Sequence, residues 1–378
     1  MSNDTNNNFD IFVHDRTTGR TVRASVAANG AQAYSNYDSW ISSDGRVVVF
    51  GSPSTALVSG DTNGVPDIFV RDWQSALPVR IETLNFAHQS VANYQWTPVP
   101  AAGTYDGNVV RVAASLVSST TMPITTTVRL SEGACGDAIG ALIHEEVVTV
   151  PALGSATVSG DWDTFGNAWN GDGTRRLYSR ICTSVELHGA VVDQEIQLLK
   201  VLPRPVVLIH GFTGVPGTWD AFKTYLSGAS TGDPDWQGYA VGDGQYPGML
   251  NTGSFLNPAP LTNTIAQNAL EVANYIEALR IDKNAWHVDL VGHSMGGLIA
   301  RRYIHHDMPT NLPGGGPLVS HLVMLGTPNA GTCYALPFAN GVLLQPAVSE
   351  LTPTYVGLIF NPLNAIGTMS RSMCWRAI

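Results

Sequence analysis

Val288-Asp289-Leu290-Val291-Gly292-His293-Ser294-Met295-Gly296-Gly297 is the stretch that decides the fold. An apolar run ends in Gly-x-Ser-x-Gly, and Leu298, Ile299, Arg302 and Tyr303 follow at helical spacing. That order predicts a strand, a sharp turn and a helix, with Ser294 at the apex. Gly292 and Gly296 flank the serine because strand and helix backbones converge there too closely for side chains. The serine itself is expected in a strained conformation that pushes its Oγ outward. Pentapeptides of this kind arise often by chance, so the weight rests on these flanks and on a second motif upstream.

The second motif is Arg204-Pro205-Val206-Val207-Leu208-Ile209-His210-Gly211-Phe212-Thr213-Gly214, a buried-strand run ending in a loop of small residues. Thr218 to Leu226 then reads as a helix. Acyl transfer from an ester needs an activated hydroxyl and donors for the oxyanion formed on attack. The two donors expected here are the backbone amides of Met295, after the nucleophile, and of Phe212, just beyond His-Gly. His293 is expected to pack against neighbouring loops and His210 to brace the oxyanion loop, together with Gly211. Neither is expected to be the general base.

Composition narrows the partners. Of 378 residues, 44% are hydrophobic and only 13% charged, with a formal charge of −10. Nucleic acid and anionic membrane are therefore not expected as electrostatic partners. No run approaches the roughly 20 apolar residues of a membrane span. Met1 to Asn8 is polar and free of Lys and Arg, so no signal peptide is expected in this chain. Cys135, Cys182, Cys333 and Cys374 have no metal-ligand spacing. Cys135 and Cys182 fall in one β-rich segment; they pair if the protein is exported and stay free thiols otherwise.

Three regions follow along the chain, 1–82, 83–203 and 204–378. In the first, Asp4 to Asp15 (DTNNNFDIFVHD) matches Asp61 to Asp72 (DTNGVPDIFVRD) at eight of twelve positions, 57 residues apart. Each copy reads as a small antiparallel unit that stacks on its neighbour. Asp4-Thr5-Asn6 with Asp10, and Asp61-Thr62-Asn63 with Asp67, carry alternating oxygens that suit Ca²⁺. Asx-turns capping a hairpin are the plainer reading. The second region shows short β-rich runs, among them Val109 to Val117, Thr125 to Leu130, Glu145 to Val150, Ser155 to Ser159 and Arg180 to Leu187, with turns between them. That spacing fits a β-sandwich of immunoglobulin-like type. In the third region strands alternate with helices. Leu261 to Arg280 reads as an amphipathic helix with Ile265, Leu270, Ala273, Ile276 and Leu279 on or near one face, and His321 to Leu325 as the next strand.

Two resemblances attach to these residues. SxDGRxVxF and DIFVxD resemble the blades of TolB-like and WD-type β-propellers, with one full period and the start of another. PVVLIHGFTG, VDLVGHSMGGLIAR and HLVMLGTPNAGT, in that order, resemble bacterial lipases and esterases of the α/β-hydrolase superfamily over about residues 204–360. The expected fold is therefore multidomain: an N-terminal all-β part, of partial propeller-like repeats and a β-sandwich, then an α/β-hydrolase domain. The second resemblance implies a carboxylic ester or lipid substrate, Ser294 as nucleophile, and an acid and a histidine after later strands. No cofactor is required by that chemistry. Bacterial cell-surface or extracellular placement is expected, with glycan or surface contact through the β-domains.

The sequence departs from this pattern after the elbow. The remaining histidines are His305, His306 and His321, and none follows two further strands. The triad is thus incomplete, and the hydrolase part is expected to be cut short. Thr368 to Ile378 has little pattern; in a shifted frame with GC-rich codons it spells a strand ending in Ala-Gly-Asp, so a frameshift or truncation is expected. Phe338 to Leu344 and Val356 to Phe360 are candidates for a lid or acyl pocket, with core packing as the plainer reading. The competing function is a non-catalytic β-rich binding protein carrying a hydrolase remnant. Thioesterase, amidase or acyltransferase chemistry on the same fold is the third.

Overall fold

Alternating burial marks N-terminal strands such as Val109–Ser118, and continuous burial marks Val206–Ile209 in the C-terminal part. A computed structural model describes residues 6–14, 16, 21–27, 32–43, 45–58, 60–72, 77–135, 141–228, 233–254, 261–310, 312, 314–335, 345–364 and 376–377. The first strands are β1 (Phe12–His14), β2 (Thr21–Arg23), β3 (Tyr37–Ile41), β4 (Val47–Ser52) and β5 (Asp67–Asp72). They form an antiparallel pair, β1-β2, and a three-stranded antiparallel sheet, β3-β4-β5. Asp4, Thr5 and Asp15 of the repeat lie outside the described residues.

Next come β6 (Val79–Gln89), β7 (Trp96–Pro98), β8 (Thr104–Tyr105), β9 (Val109–Ser118), β10 (Ile124–Glu132), β11 (Ala141–Val150), β12 (Ser155–Asp163), β13 (Ser179–Leu187), β14 (Ala190–Leu199) and β15 (Val201–Leu202). They form two four-stranded sheets, ordered β11-β10-β13-β14 and β12-β9-β6-β7, plus a short parallel pair β8-β15. Strand β9 buries Val110, Val112, Ala114 and Leu116 completely while its alternate residues are half-buried, the period of two that a one-sided sheet requires. Cys135 and Cys182 are joined by a disulfide across 47 residues of sequence.

The C-terminal strands are β16 (Val206–Ile209), β17 (Gly238–Ala240), β18 (Val288–His293), β19 (Val319–Leu325) and β20 (Arg376–Ala377). They make one five-stranded sheet, ordered β17-β16-β18-β19-β20, with every pairing parallel. Strand β16 is buried at all four residues, as a parallel strand covered on both faces must be. The helices that matter to the site are α1 (Asp220–Ser227), α2 (Ile265–Lys283) and α3 (Met295–Arg302).

Helix α2 starts four residues later than the periodicity predicts. Thr264 caps it: its hydroxyl accepts from the Gln267 amide while the Gln267 side chain accepts from the Thr264 amide. The buried stripe is Ile265, Ala269, Val272, Ile276 and Leu279. Leu270, which the periodicity puts on or near that face, is 54% exposed, because it lies 100° round the helix from Ala269. Phe338 to Leu344 lies outside the described residues. Val356 and Phe360 point into the core, whereas Leu358 and Ile359 are exposed. Of the tail, only the backbone of β20 is described; it pairs with Val323 and Met324 of β19.

The chain divides into two compact units. One comprises Met1–Asn85, Val112–Gly160 and Arg180–Leu198, the other Phe86–Arg111, Asp161–Ser179 and Leu199–Ile378. Within the second unit, the segment leading into β18 is tied down by side-chain hydrogen bonds. Asn284 ends α2 in the left-handed conformation, and its Oδ1 accepts from the Val91 amide at 2.7 Å. Asn108 donates to the Asn284 carbonyl and accepts from the Trp286 amide. The start of the elbow strand is thereby fixed in position and register.

Candidate active site

Ser294 closes β18 and opens α3 with φ 53° and ψ −123°, a conformation that a non-glycine residue holds only under constraint from its surroundings. Its amide donates to the Leu325 carbonyl at the end of β19, and its carbonyl accepts from Gly297. The flanking glycines leave room for this turn. A Cβ on Gly292 would lie 2.6 Å from the Gly297 nitrogen, and one on Gly296 would run into the Ile209 carbonyl. Ser294 is half-buried and Met295 fully buried.

The loop after β16 lies against this turn. A Cβ on Gly211 would sit 2.7 Å from the Ser294 Cβ and 3.1 Å from the Met295 nitrogen. The Gly211 peptide, which includes the Phe212 amide, is therefore next to the serine and the Met295 amide. Two groups converge on the Gly211 carbonyl. The Thr252 hydroxyl donates to it at 2.9 Å, and His210 Nδ1 lies 3.1 Å away. Thr252 is itself held, because its carbonyl accepts from the Thr213 amide. His210 is buried, and burial pushes its pKa below the ordinary imidazole value. A neutral ring donating through Nδ1 fits that position. Thr252 escaped the sequence reading, since Asn-Thr-Gly in a loop carries no chemical signature.

The histidines divide by place. His293 is exposed beside the serine. His305 follows α3, where burial first, then Arg301 and His306, lower its pKa. His306 Nε2 lies 3.2 Å from the Leu363 carbonyl. His321 bonds to Asp289 at 2.8 Å, and Asp289 also faces Arg204, which pairs with Asp106 at 2.5 Å. This His–Asp pair has the composition of a catalytic dyad but stands at the wrong end of the sheet. Asp289 precedes Ser294 by five strand residues, about 16 Å. Among the described residues, no imidazole hydrogen-bonds to the Ser294 hydroxyl.

Arg301 is a second residue that the sequence reading did not single out. It is 1% exposed, and its guanidinium donates to Asn329 Oδ1, Asn361 Oδ1 and the Asn364 carbonyl while stacking over Phe360. It thus joins α3 to the loop after β19 and to the segment at 361–364. The Ca²⁺ reading is met differently at its two loops. Asp10 is taken by Arg23 and Ser25, whereas both carboxylate oxygens of Asp61 are buried without a hydrogen-bond partner among the described residues. No group of three or more acidic, His or Cys side chains converges on a metal position among those residues. No helix among them is long and apolar enough to cross a membrane.

Residues 206–370 match the model of the alpha/beta hydrolase family. Among solved structures, the chain is similar to the phospholipase PlaB from Legionella pneumophila, at 19% identity and a TM-score of 0.29, covering 39% of this chain and 32% of that one. It is similar to a lipase-esterase related protein from Clostridium acetobutylicum at 17% identity and a TM-score of 0.24, covering 44% and 67%. An extracellular alpha/beta-hydrolase from a Paenibacillus species matches at 19% identity and a TM-score of 0.24, covering 36% and 49%. The chain thus spans about a third of the length of the phospholipase and half that of the Paenibacillus hydrolase. The parallel sheet, the strained turn at the end of its central strand and the match over residues 206–370 support an α/β-hydrolase domain in the C-terminal part of this chain, and a large β-rich region precedes it in sequence.

Proposed function

We propose that the hydrolase domain cleaves carboxylic esters through an acyl-enzyme on Ser294. The observation that carries this reading is the Gly211 peptide lying against Ser294 and the Met295 amide. In the proposed mechanism, Ser294 Oγ attacks the ester carbonyl and passes its proton to a histidine base. The amides of Phe212 and Met295 hold the oxyanion. The alcohol leaves with that proton, and water then releases the acid. No cofactor takes part. A p-nitrophenyl ester series and a fluorophosphonate probe test this: turnover and a covalent adduct are expected, both lost in Ser294→Ala.

The extent of the β-rich region, with its two four-stranded sheets, supports a second reading, a β-rich binding protein with an inactive hydrolase remnant. Folded protein with neither labelling nor turnover would establish it. Thioester, amide and acyl-acceptor substrates in the same assay separate the remaining acyl-transfer chemistries.

For the β-rich region we propose propeller-like repeats and an immunoglobulin-like sandwich that present the hydrolase at a bacterial surface or outside the cell, through contact with glycan or another surface component. The Cys135–Cys182 disulfide supports an oxidising compartment. Ca²⁺ at the Asp61 loop is a structural proposal; an unchanged melting temperature in EGTA would sink it.

A further inference from the structure

A cavity of about 200 Å³ lies in the second unit, lined by Gly107, Asp163, Phe165, His287 and the loop 314–317. His287 immediately precedes β18 and the loop precedes β19, so the cavity stands at the amino ends of these parallel strands. Ser294 lies seven residues beyond His287, roughly 23 Å along the strand. The cavity is therefore separate from the candidate active site, and the proposed hydrolysis makes no use of it.

His287 is 3% exposed, and its ring is fixed in place. Nδ1 lies 2.7 Å from the Pro317 carbonyl, which can only accept, so Nδ1 carries the proton. Burial lowers the pKa below the ordinary imidazole value and keeps the ring neutral, which leaves Nε2 a lone-pair acceptor. Among the described residues nothing hydrogen-bonds to Nε2. That nitrogen sits on the ring edge held between two glycines of the cavity wall. A Cβ on Gly107 would come 2.5 Å from Cδ2 and 3.3 Å from Nε2, and one on Gly316 would come 3.0 Å from Cε1 and 3.7 Å from Nε2. A buried acceptor of this kind costs free energy unless a donor reaches it.

The other walls add a charge and a ring. One Asp163 oxygen accepts from the Phe165 amide at 2.9 Å, and the carboxylate has no ion-pair partner among the described residues. The guanidinium groups that act on His287 are already paired, Arg204 with Asp106 and Asp289, Arg280 with Glu277. The Phe165 ring meets the imidazole edge-on, with centroids 6.1 Å apart. The turn that carries Asp163 and Phe165 is held from beneath. Buried Asp106 accepts from the Gly166 and Ala168 amides, and the Gly107 amide donates to Thr164 Oγ1.

We propose that this cavity binds a primary ammonium group, which donates to His287 Nε2 and to the Asp163 carboxylate while its alkyl stem rests on Phe165. An ammonium brings three donors and one positive charge to a wall that offers two acceptors and one negative charge. The volume is below the roughly 300–1,000 Å³ of pockets for drug-sized ligands, so the ligand is a small alkylamine. A divalent metal fits less well, because His287 and Asp163 are two side-chain ligands where such ions usually take three or four.

Ligand-observed NMR titration of the full chain with ethylammonium chloride, at neutral pH and constant ionic strength, tests this. Saturable binding is expected, with a dissociation constant in the millimolar range for so few atoms. Tetramethylammonium, which has the charge but no N–H, should bind about tenfold or more weakly, and acetate should not bind. Asp163→Asn, at an exposed position, keeps the acceptor for the Phe165 amide and removes the charge; it should weaken ethylammonium about tenfold at an unchanged melting temperature. His287→Phe, which keeps a ring and removes the acceptor, should weaken it in the same direction. Absence of saturation would overturn the proposal, as would equal binding of tetramethylammonium or undiminished binding by Asp163→Asn. Zn²⁺ binding that depends on His287, without binding of ethylammonium, would overturn it in favour of a metal.

Discussion

Thr252 shows how a single hydroxyl can hold a backbone peptide in one orientation. The Gly211 carbonyl and the Phe212 amide belong to one planar trans peptide, so gripping the carbonyl fixes the direction of the N–H on its opposite side. Thr252 and His210 both bear on that carbonyl. Thr252→Val removes one donor while keeping the side-chain shape. On the proposed mechanism it should lower kcat about 10-fold or more with little change in KM, toward the roughly 100-fold effect of deleting an oxyanion donor outright. Thr252→Ser should restore most of the rate. Steady-state kinetics on the p-nitrophenyl esters checks both, and a loss confined to KM would refute the positioning role. Ser294, Gly292 and Gly296 were legible in the sequence because the turn admits few residue types. Thr252 was not, because it meets Gly211 from 41 residues away.

At the scale of elements, α2 and the segments it leads into set the elbow in place. The helix packs through Ile276 and Leu279, both fully buried, whereas Leu270 faces solvent. Ile276→Ala should therefore destabilise by about 2–5 kcal/mol, and Leu270→Ala by less than about 0.5 kcal/mol. Thr264→Ala, which removes the cap, should fall between them at about 1 kcal/mol. Urea denaturation of the three variants checks the order; equal losses at positions 270 and 276 would contradict the packing described. The helix itself was legible from its periodicity. The side-chain ties of Asn108 and Asn284 that hold the start of β18 were not, since 176 residues separate the two. The His321–Asp289 pair carries the converse lesson: residue types that suit a triad are set by register at the amino end of β18, beyond reach of the Ser294 hydroxyl.

For the whole molecule, burial decides the response to pH. His88, His210 and His287 are all buried, and in each desolvation is the leading cause that lowers the pKa below 6.5. The unfolded chain therefore binds more protons than the folded one just below that value. Stability should be full above pH 6.5 and fall as the pH drops through the lowered folded-state values. Thermal melts across pH 5 to 7.5 check this, and His287→Gln should flatten the slope; a melting temperature that rises on acidification would contradict it. The disulfide acts at the same scale, stabilising by about 4 kcal/mol on the chain-entropy estimate for a 47-residue separation. By itself the sequence determined the local chemistry: the turn at Ser294, the strand-then-helix order around it, the repeat and the run of short strands. These follow from side-chain size, period and backbone freedom over a few residues. Tertiary structure alone decided which carbonyl Thr252 grips, which end of β18 receives His321, whether Cys135 meets Cys182, and that Ile68 and Val70 lie bare where Ile11 and Val13 are covered. Each of these depends on groups brought together across tens to hundreds of residues, and no local pattern encodes that meeting.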